Sequence, residues 1–129
     1  MSFRERFAAA GHTVGRGRLA EEEAVRWLAE HGYRLVETNV RTSYGEIDVV
    51  AWSGDTLCFL EIKARSSQGY GGGLEAVDAR KQRRLARAAS AYLARLRHTP
   101  ACRFDVLALE QEGERWAYRL VTDAFRLPD

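Results

Sequence analysis

Two β-rich segments, residues 46–52 and 56–64, constrain the fold of this 129-residue chain more than any other feature. A short polar stretch separates them and contains Gly54 and Asp55, a pair typical of a two-residue hairpin turn. Because a tight turn fixes which residues face each other along both strands, the hairpin register follows from the position of the turn. The sequence therefore predicts a β-hairpin whose opposed side chains can be named.

Two carboxylates meet in this register. Asp48 is predicted directly opposite Glu61, and Glu46 opposite Lys63. Opposed Cβ atoms lie about 5 Å apart, where two carboxylates repel unless a cation or a shared proton lies between them. Alternation places Lys63 and Glu61 on one face of their strand, with Phe59 behind them. A surface ladder of acidic and basic groups would use the same residues, but Asp48 and Glu61 are embedded in apolar segments, which favours a metal site.

Two helices are predicted to flank the hairpin, over residues 18–31 and 79–98. On the first helix Glu21 lies inside the apolar arc, where a carboxylate needs a partner; a first-turn position favoured by the helix dipole is the alternative. On the second helix Lys81 lies on the inward stripe, which extends to Leu96, unless the ammonium reaches outward into solvent. The outward arc of the second helix carries Arg80, Arg83, Arg84, Arg87 and Arg95.

Further strands are predicted over residues 34–40, 103–109 and 115–121. The order is then helix, three strands, helix, two strands, which predicts an α/β fold with a central mixed sheet flanked by helices. At this length we expect a single domain over residues 16–129, after a basic lead-in at 1–15.

Composition excludes several classes of protein. Hydrophobic residues make up 46% and charged residues 29% of the chain, which is typical of a globular protein and not of a disordered or fibrous one. No apolar run approaches the roughly 18 residues of a membrane span, and the N-terminus lacks the apolar segment of a signal peptide. With only two cysteines, we expect a cytoplasmic protein that does not enter a membrane.

The net charge of +2 hides a basic block between residues 78 and 97. Such a block suits phosphate groups, although a solvated helix face is the common explanation of clustered charge. The block alone therefore does not decide whether the chain binds nucleic acid.

Several of these residues together resemble a known family. Asp48, followed on the next strand by Glu61-Ile62-Lys63, resembles the signature of the PD-(D/E)xK nucleases. More closely, residues 45–48 and 59–65 are similar to the YraN-like family, a bacterial group similar to archaeal Holliday-junction resolvases. The resemblance covers nearly the whole chain, and its further matches are Gly17, Glu21, Ala24, Leu28, Asn39, Arg41, Lys81, Arg103, Phe104 and Asp105. The sequence departs from the family pattern at three positions, none of which is a metal ligand: Ala20, Ile47 and Ala64.

The resemblance implies a restriction-endonuclease-like fold and a site that cleaves phosphodiesters. Asp48, Glu61 and the backbone carbonyl of Ile62 would bind Mg²⁺ or Mn²⁺, with Glu21 binding through water or holding a second ion. Lys63 would orient the attacking water or neutralise the transition state. The expected partner is DNA, and the residues expected to contact it are Lys81, Arg80, Arg83, Arg84, Arg87, Arg41 and Tyr44.

Two functions remain open at this point. The first is a Mg²⁺-dependent DNA endonuclease, acting on branched or otherwise structured DNA; the second is a nucleic-acid-binding module that no longer cleaves. The set of Glu21, Asp48, Glu61 and Lys63 favours the first, whereas the modest net charge tempers it. An interaction protein that binds no nucleic acid is a third alternative. RNA as a substrate and a homodimer both stay open.

Overall fold

The order of helices and strands follows the predicted pattern α-β-β-β-α-β-β. A computed structural model describes residues 14–66 and 78–126; within these ranges, the side chains of residues 14–19, 21, 65 and 66 are not described. The elements are α1 (Val14–Glu30), β1 (Tyr33–Thr42), β2 (Gly45–Ser53), β3 (Thr56–Ser66), α2 (Ala79–Leu93), β4 (Ala101–Glu112) and β5 (Arg115–Phe125).

The five strands form one mixed sheet in the order β1-β2-β3-β4-β5. Strands β3 and β4 are parallel, and the chain crosses between them through α2, whereas the other neighbouring strands are antiparallel. A parallel pair requires such a long crossover, which is why the second helix falls between the third and fourth strands. The prediction of an α/β fold is confirmed, and the topology is consistent with a restriction-endonuclease-like fold.

A hydrophobic core lies on each face of the sheet. On one face, Ala24 and Leu28 of α1 pack against a cluster that includes Leu60 and Leu107. On the other face, Leu85 and other residues of α2 pack against a cluster that includes Phe59, Val50 and Phe104. Successive residues of β3 therefore belong to different cores, as expected for a strand that is buried on both sides.

The predicted helix bounds need two corrections. The first helix spans Val14–Glu30, so it begins before residue 18. The second begins as predicted, because the Asp78 side chain accepts a hydrogen bond from the Lys81 N–H at 2.9 Å, but it ends at Leu93. Beyond Ala94 the chain makes tight i→i−3 hydrogen bonds typical of a terminal 3₁₀ turn, which rotates the following side chains off the inward stripe. Leu96 is accordingly 37% exposed and not packed inward.

Neither α1 nor α2, over the part of the chain that the structure describes, has the length and apolar character of a membrane-crossing helix. Of the predicted lead-in at residues 1–15, residues 1–13 lie outside the described part of the chain, and so do residues 67–77, which include Gly69, Gly71, Gly72 and Gly73.

Candidate functional site

The predicted hairpin register is observed. Ser53 pairs with Thr56, and the antiparallel ladder continues to Val49 and Leu60, where it ends. The next two positions are Asp48 and Glu61, so both carboxylates lie where β2 and β3 stop exchanging backbone hydrogen bonds. A sheet that opens at this point leaves backbone groups that other atoms must satisfy.

The Asp48 carboxylate accepts a hydrogen bond from one of these backbone groups. Asp48 is only 2% exposed, and its Oδ2 accepts a hydrogen bond from the Ile62 N–H at 2.8 Å. The N–H and C=O of one strand residue point toward the same neighbouring strand, so the carbonyl of Ile62 also points toward β2. The carboxylate and this carbonyl are thus placed at the same opening in the sheet.

Glu61 is the second buried carboxylate, at 8% exposed. Its Oε1 lies 2.5 Å from the Nζ of Lys81, which reaches the sheet from the first turn of α2. A buried carboxylate needs a cation or a proton to offset its desolvation, and the Lys81 ammonium provides the cation here. The predicted inward position of Lys81 is correct, and its partner is Glu61.

Two further predictions concern the neighbours of this pair. Glu46 pairs across the sheet with Arg41 on β1, and the Arg41 Nε lies 3.1 Å from the Glu46 Oε1. The predicted position of Glu46 opposite Lys63 is past the end of the β2–β3 ladder. Lys63 is half-buried. It follows Glu61 by two residues on β3, so the two side chains lie on the same face of the strand.

The predicted ligand Glu21 lies in α1, but the structure does not describe its side chain. Among the side chains that are described, no three from His, Cys, Asp and Glu converge in a way that could hold a metal ion. Asp48 and Glu61 are therefore the acidic pair on which a cation site would have to be built.

The predicted nucleic-acid contacts lie on α2, on β1 and on the turn between β1 and β2. The side chains of Arg80, Arg83, Arg84 and Arg87 are exposed on α2, as predicted. Arg95 continues the basic surface, since its Nη2 donates to the Arg41 carbonyl at 3.3 Å. This hydrogen bond joins the segment that follows α2 to Arg41 on β1.

Tyr44 is held outward on the turn between β1 and β2, with 51% of its surface exposed. The Thr42 hydroxyl fixes this turn, because it donates to the Gly45 carbonyl at 2.8 Å and accepts from the Tyr44 N–H at 3.1 Å. Gly45 has a φ of 137°, and a Cβ at that position would lie 3.2 Å from the Cγ and Cδ of Arg84. The positive φ favours glycine there, and the missing side chain also leaves room for the stem of Arg84.

A buried polar cluster that the sequence predictions did not describe lies around Asp105. Asp105 is 1% exposed, and its carboxylate accepts hydrogen bonds from the Tyr33 hydroxyl at 2.7 Å and the Asp123 N–H at 2.9 Å. The Arg103 guanidinium also pairs with it, at 2.9 and 3.0 Å. Burial and the nearby Asp105 carboxylate raise the pKa of the Cys58 thiol to about 12, which makes this cysteine a poor nucleophile.

The Asp105 cluster is separate from the carboxylate pair. Asp105 pairs with Leu60 in the sheet, and alternation places it on the α1 face, opposite the face of Glu61. A cleft of about 440 Å³ opens beside it and includes none of the predicted site residues; its lining includes Thr56, Cys102, Arg103, Phe104, Phe125 and Arg126. The satisfied hydrogen bonds of Asp105 are those of a structural group that ties β1, β4 and β5 together.

Comparison with known proteins assigns this chain, with the residues of the carboxylate site, to one protein family. The model of the uncharacterised protein family UPF0102 matches residues 20–109, which include Asp48, Glu61, Lys63 and Lys81. A UPF0102 protein of Symbiobacterium thermophilum is 48% identical over 111 residues, which cover 84% of this chain and 94% of that protein. A UPF0102 protein of Herminiimonas arsenicoxydans is 43% identical over 100 residues, which cover 78% of this chain and 81% of that protein.

Proposed function

The chain belongs to the uncharacterised protein family UPF0102, and from the geometry of its buried carboxylates we propose that it is a metal-dependent endonuclease that hydrolyses phosphodiester bonds in DNA. The observation that carries this proposal is the placement of Asp48 and Glu61, both nearly inaccessible to solvent, where the β2–β3 ladder ends. Carboxylates that serve only solubility or surface charge have no reason to be buried there.

The oxygen atoms at this opening fit a hard divalent cation. Two carboxylates and a backbone carbonyl are the donors that Mg²⁺ and Mn²⁺ prefer, and Mg²⁺ usually takes only one or two carboxylates together with waters and substrate phosphate. A cation of the protein, the Lys81 ammonium, lies against Glu61, which supports the proposal that Glu61 can take a cation as a partner. Asp48 and Glu61, together with the carbonyl of Ile62, would hold the cation, and Glu21 would add a further carboxylate. When bound, the cation supplies a Lewis acid that polarises the phosphodiester and the attacking water.

Two lysines have distinct roles in this proposal. Lys63 lies on the same strand face as Glu61, where its ammonium orients the attacking water and offsets the negative charge that develops on the phosphate. With a divalent cation bound, Glu61 would be one of its ligands, and the Lys81 ammonium would be free to contact a phosphate oxygen of the substrate. Lysine suits both roles because it is a compact charge on a flexible stem and does not bind hard cations.

The DNA path runs along the exposed arginines of α2 and the turn that carries Tyr44. Arg80, Arg83 and Arg87 contact phosphates of the backbone, which carry no sequence information but fix the position of the strand. Arg84 and Arg41 extend this surface across the β1–β2 turn, beside the opening that holds Asp48. Tyr44 presents an aromatic ring on which an unpaired base can stack.

A panel of DNA substrates tests the proposal. We expect the full chain to cleave at least one of single-stranded, duplex, flap and four-way DNA when Mg²⁺ or Mn²⁺ is present, and none in EDTA. Asp48→Asn and Glu61→Gln should lower the cleavage rate by a factor of 10² or more, because each removes a charged ligand and keeps the side-chain shape. Glu110→Gln, at a half-buried glutamate on β4, is the matched control and should cleave like the wild type.

Lys63→Ala separates metal binding from cleavage. Because lysine is not a ligand of hard cations, the variant should bind Mn²⁺ like the wild type in calorimetry and lose cleavage. Absence of cleavage of all four substrates by the wild type, or full activity of Glu61→Gln, would contradict the proposed function.

One observation favours a second candidate function, a nucleic-acid-binding module that does not cleave. The Lys81–Glu61 ion pair occupies Glu61 with a protein cation, and a permanent pair would leave no place for a metal. This alternative predicts DNA binding that falls with salt concentration, together with no heat of Mn²⁺ binding and no cleavage.

A further inference from the structure

Asn39 on β1 is strained and lies across from Asp48. The β1–β2 register pairs Thr38 with Val49 and Val40 with Ile47, so the residue that faces Asn39 is Asp48. Asn39 has a φ of 53°, in the left-handed region that residues with a side chain rarely adopt. Backbone strain of this kind persists only where the surrounding structure holds it, and it clusters at functional sites.

The side chain of Asn39 carries a second anomaly. Its Oδ1 is buried and has no hydrogen-bond partner, and no other buried side-chain nitrogen or oxygen in the described part of the chain lacks one. A buried acceptor without a donor destabilises the folded protein, and native structures retain few of them. The sequence thus keeps an oxygen at this position at a cost to stability.

Backbone conformation alone does not explain the choice of asparagine. Glycine adopts a positive φ without steric strain and would remove the unpaired oxygen as well. Asp123 provides a comparison within the chain, since its φ is 52°. There the carboxylate pairs with Arg126 at 3.0 Å and the backbone N–H binds Asp105, so the polar groups of Asp123 are satisfied. Asn39 differs in having an oxygen that no protein group uses.

We propose that the Asn39 Oδ1 is a further protein oxygen of the cation site formed by Asp48, Glu61 and the Ile62 carbonyl, bound to the cation directly or through one water. This inference rests on the proposed function and adds a neutral ligand to it. Amide carbonyl oxygens are ordinary ligands of hard cations, and a neutral one adds no repulsion to a site that already holds two carboxylates. Among the described side chains, no three of His, Cys, Asp and Glu converge on a cation site, so neutral oxygens such as the Ile62 carbonyl and the Asn39 amide would add to the two carboxylates.

The test compares glycine substitutions at the two left-handed residues. Asn39→Gly keeps the backbone conformation and removes the side-chain amide, whereas Asp123→Gly removes a carboxylate at the other left-handed residue, away from the site. Mn²⁺ affinity is measured by calorimetry on the full chain, and stability by urea unfolding in EDTA. We expect Asn39→Gly to be at least as stable as the wild type in EDTA and to bind Mn²⁺ about tenfold to a hundredfold more weakly. Asp123→Gly should bind Mn²⁺ like the wild type.

Asn39→Asp provides the converse measurement. It keeps an oxygen at the site and adds a charge, so Mn²⁺ affinity should equal or exceed that of the wild type, while stability in EDTA falls because the new carboxylate lies beside Asp48. Wild-type Mn²⁺ affinity in Asn39→Gly would overturn the inference about Asn39. Wild-type affinity in Asp48→Asn would instead overturn the cation site itself, so the two failures are distinguishable.

Discussion

At the scale of single residues, each carboxylate at the end of the β2–β3 ladder has a partner within the protein. Asp48 accepts the Ile62 N–H, and Glu61 pairs with Lys81. The two carboxylates that hairpin geometry places side by side therefore each have a donor of their own. A divalent cation would compete with Lys81 for Glu61, because both bind the same carboxylate.

Lys81→Met measures this competition. In EDTA the variant leaves Glu61 buried without its cation, so the free energy of unfolding should fall by about 1–3 kcal/mol. Mn²⁺ should bind more tightly than to the wild type and restore the lost stability, while cleavage falls because the phosphate contact is gone. Lys81→Arg, which keeps the charge, is the control. Calorimetry that finds equal Mn²⁺ affinity in Lys81→Met and the wild type would show that the cation does not bind Glu61.

At the scale of helices and strands, the sequence predicted the hairpin best because its turn chemistry is local. Gly54 and Asp55 fix the register, and the structure keeps it as far as Leu60. The end of the second helix was predicted poorly, because no glycine or proline follows Leu93 until Pro100 and the stop depends on a tightened last turn.

The pairs that join distant elements were beyond sequence reasoning. Lys81 and Glu61 were each predicted to point inward, but their contact depends on the crossover that brings α2 over β3. The unpaired oxygen of Asn39 has no signal in the local pattern of the sequence, because it depends on a left-handed backbone inside a strand. The only sign of it was that Asn39 is among the positions that resemble the YraN-like family.

The arginine face of α2 permits a test of DNA binding by a whole element. Replacement of Arg80, Arg83, Arg84 and Arg87 by alanine should weaken binding to all DNA sequences alike, because phosphate contacts do not read bases. The slope of log affinity against log salt should flatten by about 0.9 for each lost contact with duplex DNA. The measurement is fluorescence anisotropy in EDTA at several salt concentrations.

A second quadruple variant controls for net charge. Arg34, Arg115, Arg119 and Arg126 are exposed on β1, on β5 and just after β5, and their replacement by alanine removes the same total charge. Direct phosphate contacts are indicated only if the salt dependence of DNA affinity weakens more in the α2 variant than in this control. Equal slopes in the two variants would show that the DNA path lies elsewhere.

At the scale of the whole molecule, both helices are fixed to the sheet by polar contacts as well as by apolar packing. On the α1 face, the Glu23 carboxylate accepts hydrogen bonds from Arg26 on the same helix and from the Tyr118 hydroxyl on β5. Trp27 stacks on the Tyr118 ring with the centroids 5.3 Å apart. This link joins the first helix to the last strand and closes the α1 core at the edge of the sheet.

The Glu23–Tyr118 contact predicts how stability depends on pH. Partial burial alone would raise the pKa of Glu23, but the hydrogen bonds from Arg26 and Tyr118 hold it below its ordinary value of 4.5. Burial and the Glu23 carboxylate raise the pKa of Tyr118 from 10.0 to about 12. Below pH 4.5 the unfolded chain gains a proton at Glu23 before the folded protein does. Above pH 10 the unfolded chain loses a proton at Tyr118 before the folded protein does. The contact therefore stabilises the fold fully only between these limits.

Glu23→Gln should therefore lower the free energy of unfolding at pH 7 by less than about 1 kcal/mol, because the contact is partly exposed. In urea unfolding its deficit relative to the wild type should shrink toward pH 3, whereas a deficit that is constant from pH 3 to pH 7 would show that the ionised Glu23 carboxylate contributes nothing to stability.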